Sequence, residues 1–217
     1  MYCFIAYIVN SKLFMNTSEL TALLALTTAA SFTPGPNTTL STALAANFGL
    51  KRAMTFVCAV PIGWGLLFTL CAGGVGALVV AMPALRLGIK VLGVGYLLWL
   101  AYKIGTANTS NSKLSSVNES RLNVTFFQGV MLQFLNIKAW MLALALVAGW
   151  IAGKPDATSR FLMMFPILLA YAFASNLAYA AMGSLLREWL QVGGRLSWFN
   201  RFMAVVLAVT AAWMATF

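Results

Sequence analysis

Histidine is absent from this chain of 217 residues, and only four acids occur in it: Glu19, Glu119, Asp156 and Glu188. None of the four lies inside a long apolar run, so no cluster is available to hold a metal or to run acid–base chemistry within a helix bundle. That weighs against hydrolases, metalloenzymes and metal exporters, and no cofactor is expected. Cysteine is nearly as scarce. Cys3, Cys58 and Cys71 form no metal-ligand spacing, and Cys58 and Cys71 fall on one expected helix, roughly 20 Å apart along its axis, too far to pair. Charged residues make up 8% of the chain, against about 25% in soluble domains, which is too little to clothe a surface facing water.

What is present is apolar. Hydrophobic residues reach 61%, and a hydrocarbon core about 30 Å thick asks for roughly 20 of them per helix. Six stretches qualify, at about 20–47, 53–82, 84–105, 124–152, 160–186 and 197–216. The fold class expected is an all-α integral membrane protein with six transmembrane helices. The net charge of +10 does not signal nucleic acid, because the Lys and Arg residues stand singly at the ends of apolar runs, the pattern of membrane topology. The expected partners are therefore the lipid bilayer and a small solute.

The polar stretch 106–122, rich in Ser, Asn and Thr, is the one extended linker. It separates a first three-helix half, 19–105, from a second, 123–217, with an N-terminal extension over 1–18. In that extension Tyr2 to Val9 is apolar but too short to span, and no basic run precedes it, so no cleaved signal peptide is expected; Met15 is an alternative start. Three helices followed by three enter the membrane from opposite sides, the geometry of an inverted 3+3 repeat with its site at the midplane. Lys51, Arg52, Lys103, Lys113, Arg121, Arg187, Arg195 and Arg201 fall on one side, and Lys12, Arg86, Lys90, Lys154 and Arg160 on the other. Eight against five puts the first set in the cytoplasm and both termini outside.

Two apolar runs are interrupted near their centres. In the first, Ser31-Phe-Thr-Pro34-Gly35-Pro36-Asn37 removes two backbone donors and frees the carbonyls of Ala30 and Phe32. Gly35 is expected to take a conformation other residues resist. With Pro36 as the first residue of a second half-helix, the amides of Asn37, Thr38 and Thr39 point into the break with the positive end of the helix dipole behind them. Such an end suits a carboxylate; the bland alternative is a kink whose freed groups neighbouring helices satisfy.

In the fourth, Gln133-Phe-Leu-Asn136-Ile-Lys138 places a cation too deep to reach water. No intramembrane acid is expected to pair with it, so three roles stay open for Lys138: counter-ion of a substrate, donor to the carbonyls freed near Pro34, or a deprotonated amine that couples transport to protons. Asn176 beside Ser175 is polar near the middle of the fifth run, as a bond to a neighbouring helix or as a ligand. The glycines at 63, 65, 73, 74 and 76 are expected to pack helices closely, and glycine-lined faces would also allow a homodimer. Gly93-Val-Gly95-Tyr96-Leu-Leu-Trp99-Leu-Ala-Tyr102-Lys103 ends the third helix with an interfacial aromatic and basic finish.

These motifs resemble the LysE family of amino-acid exporters, on Thr33-Pro34-Gly35-Pro36-Asn37, Gly93-Val-Gly-Tyr96-Leu and Asn136-Ile-Lys138, over nearly the whole chain from about Glu19. The resemblance implies a compact six-helix bundle in the bacterial inner membrane, not an enzyme, that exports amino acids at the expense of the proton gradient, as an antiporter would. It is nearest the cysteine and O-acetylserine branch through Leu70-Cys-Ala-Gly73 and Leu132 to Lys138, with homoserine and threonine exporters adjacent. Two departures stand out. Pro61 lies in a region the family patterns with small residues, and Ile137 stands where the family often has proline, which implies a straighter fourth helix. An exporter needs a polar midplane site between pseudo-symmetric helices, which Pro34, Gly35, Pro36, Asn37, Thr38, Asn136, Lys138 and Asn176 would supply. A structural subunit would need none of them.

Overall fold

The computed structural model describes residues 15–107 and 124–216. Most of the expected extension and linker, with Cys3, Lys12, Lys113, Glu119 and Arg121, therefore lies outside the described residues. What is described is all helical: α1 (Thr17–Phe32), α2 (Pro36–Phe48), α3 (Leu50–Ala72), α4 (Val75–Ala81), α5 (Pro83–Gly105), α6 (Phe126–Leu135), α7 (Ile137–Trp150), α8 (Ala157–Leu185), the short α9 (Arg187–Leu190) and α10 (Arg195–Ala215). By length and apolarity α3, α5, α8 and α10 can each cross a membrane, and α6 with α7 makes a fifth crossing if the bent pair is one span. This is a multi-pass membrane protein.

The first run breaks where the prolines foretell. α1 closes at Phe32 and α2 opens with Pro36 in its first turn. Two other expectations need correcting. The second run is not one helix over 53–82, because it stops at Ala72 and restarts at Val75. Gly74 turns the chain there in the left-handed region, at φ 95°, where a β-carbon is strained. Gly73 and Gly74 are thus turn residues, and nothing lies near enough to Gly74 to be packed against it.

The fourth run is not straight. α6 and α7 meet at Asn136 with a bend of 65°, although residue 137 is isoleucine. A capping side chain does there what proline does elsewhere: Asn136 leaves the helical conformation (φ −93°, ψ 100°), and its side-chain oxygen accepts the amide hydrogen of Lys138 at 3.1 Å. Pro61, by contrast, sits inside α3 without ending it.

The bundle packs α2 against α8 and α3 against α6, with α5 against α10 on one side. Close approach explains where small residues are required. A β-carbon on Gly63 would stand 2.5 Å from the carbonyl oxygen of Val130, and one on Gly183 would stand 2.3 Å from that of Thr42, so neither pair of helices could keep its separation with alanine there. One apolar cluster joins α2, α3, α5 and α10 around Phe56, Leu40, Leu97 and Leu207, and a second joins α1, α3, α7 and α8 around Leu23, Phe68, Leu146 and Met164.

The start of α1 is tied down by charge. Asn16 caps the helix in a reciprocal capping box with Glu19, and Arg160 reaches Glu19 at 3.2 Å while its Nε lies 2.9 Å from both oxygens of Asp156. The same guanidinium holds the Asp156 carboxyl below its ordinary value. Lys154 adds a looser contact with Glu19 at 3.8 Å.

Candidate functional site

The two breaks meet. Between them and α8 lies a partly open cavity, whose polar lining includes Gly35, Asn37, Thr38, Asn136, Lys138 and Asn176 and whose apolar lining includes Val60, Trp64, Leu142 and Leu168. Of the eight residues the sequence nominates, Pro36 also lines it, and Pro34 shapes the break without being among its walls.

Lys138 reaches across from the first turn of α7 and donates from Nζ to the carbonyl of Thr33 at 3.0 Å. Of its three open roles, donation to the first break is the one present in this geometry; the acceptor is Thr33, next to the carbonyls that the prolines free. Of those, the Phe32 oxygen takes the hydroxyl of Tyr179 at 2.8 Å. An ammonium has three protons, so one bond to a neutral carbonyl leaves Lys138 able to meet an anion as well.

Gly35 corrects an expectation. Its backbone is extended, with φ −166° and ψ −175°, which any residue can adopt. Space is what it provides, since a β-carbon would lie 3.3 Å from Lys138 Nζ and 3.5 Å from its Cδ. The amides at the start of α2 also need one revision. Thr39 is already bonded to the carbonyl of Gly35 at 2.9 Å, so the orphan donors are Asn37 and Thr38, neither of which has a hydrogen-bond acceptor among the described residues. The hydroxyl of Thr38 is spent on the break itself, accepting from the Gly35 amide at 2.9 Å and donating back to its carbonyl at 3.1 Å.

The two breaks are joined by a pair of amides. Asn37 donates to Gln133 Oε1 at 2.8 Å, and Gln133 donates back to Asn37 Oδ1 at 3.2 Å and to the carbonyl of Gly129 at 3.2 Å. Gln133 has no exposed surface. The Asn37 side chain is therefore a brace between spans, and Asn136 a cap, with their free edges toward the cavity. Asn176 accepts from the Ser41 hydroxyl at 2.9 Å and donates to the Ala172 carbonyl at 2.8 Å. It is the helix-to-helix bond of its bland reading, placed in the cavity wall.

Sequence reasoning overlooked Gln133, Tyr179 and Thr27 as parts of this site. Gln133 was visible as an amide inside an apolar run three residues before Asn136. Tyr179 stands three residues after Asn176, on the same face of α8, and gave the same kind of signal. Thr27 gave none, being one of several threonines in its run.

A site with these parts can bind a small zwitterion: a cation and two free amides for a carboxylate, amide and carbonyl groups for an ammonium, and an apolar wall for a side chain. Cysteine/O-acetylserine efflux proteins from Escherichia coli K12, Escherichia coli O1:K1 and Shigella sonnei Ss046 are each 25% identical to this chain over 197 residues, which is 91% of this chain and 97% of theirs. No solved structure matches it. The LysE type translocator family matches residues 28–216, a range that takes in both breaks and the cavity's lining residues from Ala30 onward, and this chain belongs to that family of membrane translocators.

Proposed function

We propose that this protein exports a small amino acid or a close derivative, of the cysteine/O-acetylserine or the homoserine/threonine class, across the bacterial inner membrane by proton-coupled antiport. The observation that carries the proposal is Lys138. It reaches the break of the first run at the Thr33 carbonyl and lines the same cavity as Asn37 and Thr38, with no acid among the described residues lining that cavity. A desolvated ammonium is costly without a counter-ion, and a substrate carboxylate is the counter-ion that fits. The binding set is Gly35, Pro36, the amides of Asn37 and Thr38, Lys138 and the polar wall of Asn136 and Asn176, with Pro34 shaping the break. Release of a proton by Lys138 when the carboxylate departs would link export to the proton gradient.

The proposal takes six spans in an inverted 3+3 arrangement, with α1 and α2 together as the first and α6 and α7 as the fourth. The pairing of the first span with the fifth, through α2 and α8, and of the fourth with the second, through α6 and α7 on α3, supports it, since exchanging the halves carries one pair of spans into the other. Both termini are then periplasmic, on the side of Lys154 and Arg160.

The test is efflux of preloaded radiolabelled cysteine, O-acetylserine, homoserine and threonine from cells expressing the wild type or Lys138→Ala. Export of at least one by the wild type, collapsing with an uncoupler and falling at least about tenfold in the variant at equal abundance, is expected. Full export by the variant overturns the role of Lys138. Absence of export by the wild type overturns the substrate class.

A further inference from the structure

Most polar groups of the cavity wall belong to the two breaks and α8, and within α1 the wall's polar residues are Thr27 and Ser31. Threonines in these helices ordinarily spend their hydroxyl on the carbonyl four residues back: Thr21 on Thr17, Thr28 on Leu24, Thr33 on Ala29, Thr42 on Thr38, Thr69 on Gly65 and Thr210 on Val206. That bond is always available inside a helix and satisfies the hydroxyl without help from outside.

Thr27 does not make it. Its residue is 1% exposed, it lines the cavity, and its Oγ1 is buried with no partner. An unmet buried hydroxyl is unfavourable, and the remedy lies only one rotamer away, so the free hydroxyl is a donor and acceptor kept for a visitor. Thr27, Ala30 and Ser31 share one face of α1, and all three line the cavity opposite Val60, Trp64 and Leu168. Six residues separate Thr27 from Thr33, about 9 Å along the helix axis. With a hydrogen bond of about 2.8 Å at either end, the solute between them is short.

We propose that Thr27 is a specificity-determining residue, which hydrogen-bonds a hydroxyl, thiol or ester oxygen on the β- or γ-substituent of an exported α-amino acid whose carboxylate lies at Lys138 and the start of α2. The inference rests on the export reading above and adds to it the feature by which the site tells a polar short side chain from an apolar one of equal size. A site that hydrogen-bonds its ligand in an otherwise dry place rejects the analogue without that group far more strongly than a purely apolar pocket separates homologues.

The experiment compares efflux of radiolabelled homoserine with its apolar isostere norvaline, and of cysteine with 2-aminobutyrate, in cells expressing the wild type, Thr27→Val, Thr27→Ser or Lys138→Ala. Valine keeps the shape of threonine and removes the hydroxyl, while serine keeps the hydroxyl. The wild type is expected to favour the polar member of a pair. Thr27→Val should lower the polar-to-apolar ratio about tenfold, and Thr27→Ser should restore it. Lys138→Ala should depress both members of a pair together. An unchanged ratio in Thr27→Val at normal abundance overturns the assignment of Thr27 and leaves the export reading standing, because a merely structural role lowers both members alike. Failure of the wild type to export either polar member overturns the assignment of Thr27, and failure with O-acetylserine and threonine as well overturns the export reading.

Discussion

The two broken runs are cut by different means. Pro34 and Pro36 cut the first by deleting donors, and the half before the cut is lightly held: α1 buries only Leu23 and Thr27, whereas α2 buries ten of its thirteen residues. The second break has no proline. It depends on the Asn136 cap, and its leading half, α6, is packed along α3 with Gly129 against Phe56 and Ala59. In the first run the leading half is little buried and held mainly at its start, and in the second it is packed along a neighbour. That inequality marks α1 as the less buried arm of the first run and α2 as its buried half.

The strongest way to break the comparison is at the point where the spans touch. Gly35→Leu should reduce export to background, on the order of a hundredfold, because the new side chain occupies the space of the Lys138 ammonium. Efflux normalised to membrane abundance checks it, and near-normal export would show that the two breaks need not approach so closely. A smaller effect is expected from Gln133→Leu, which leaves the Asn37 amide without its partner at a cost of about 1–3 kcal/mol. Export should fall about tenfold, and thermal unfolding in detergent should shift down. Asn37→Leu combined with Gln133→Leu should be no worse than either alone, because the pair acts as one unit; additive losses would argue that the bridge is incidental.

The subtlest effect sharpens the contrast within the first span. Backbone amides of α1 should exchange with deuterium about 10–100-fold faster than those of α2. Glu19→Gln should speed α1 further and leave α2 as it was, since Glu19 ties α1 to Arg160. Equal exchange in the two halves would remove the distinction between arm and anchor.

The first break, the isolated cation and much of the polar wall of the cavity are legible in the sequence because each violates a strong local rule: two prolines within an apolar run, a lysine far from either end of one, an asparagine among leucines. The break at Asn136 is not legible, because a cap depends on where one side chain points, and the chain carries isoleucine where proline would have announced a bend. The Gly73–Gly74 turn was hidden by an unbroken apolar composition. Gln133 shows only as a polar residue in the wrong place until Asn37, far away in the chain, is seen opposite it. Thr27 is invisible in principle, because its meaning lies in a hydrogen bond that it does not make.

The amide bridge between Asn37 and Gln133 has one more consequence. Neither side chain carries formal charge, so the membrane voltage does no work when the bridge is stretched or remade, whereas a unit charge moved through the field exchanges about 2.3 kcal/mol per 100 mV. Among the described residues that line the cavity, Lys138 alone is charged. The joint carries no formal charge, and among the described residues of the cavity wall the membrane field has a single amine to act on.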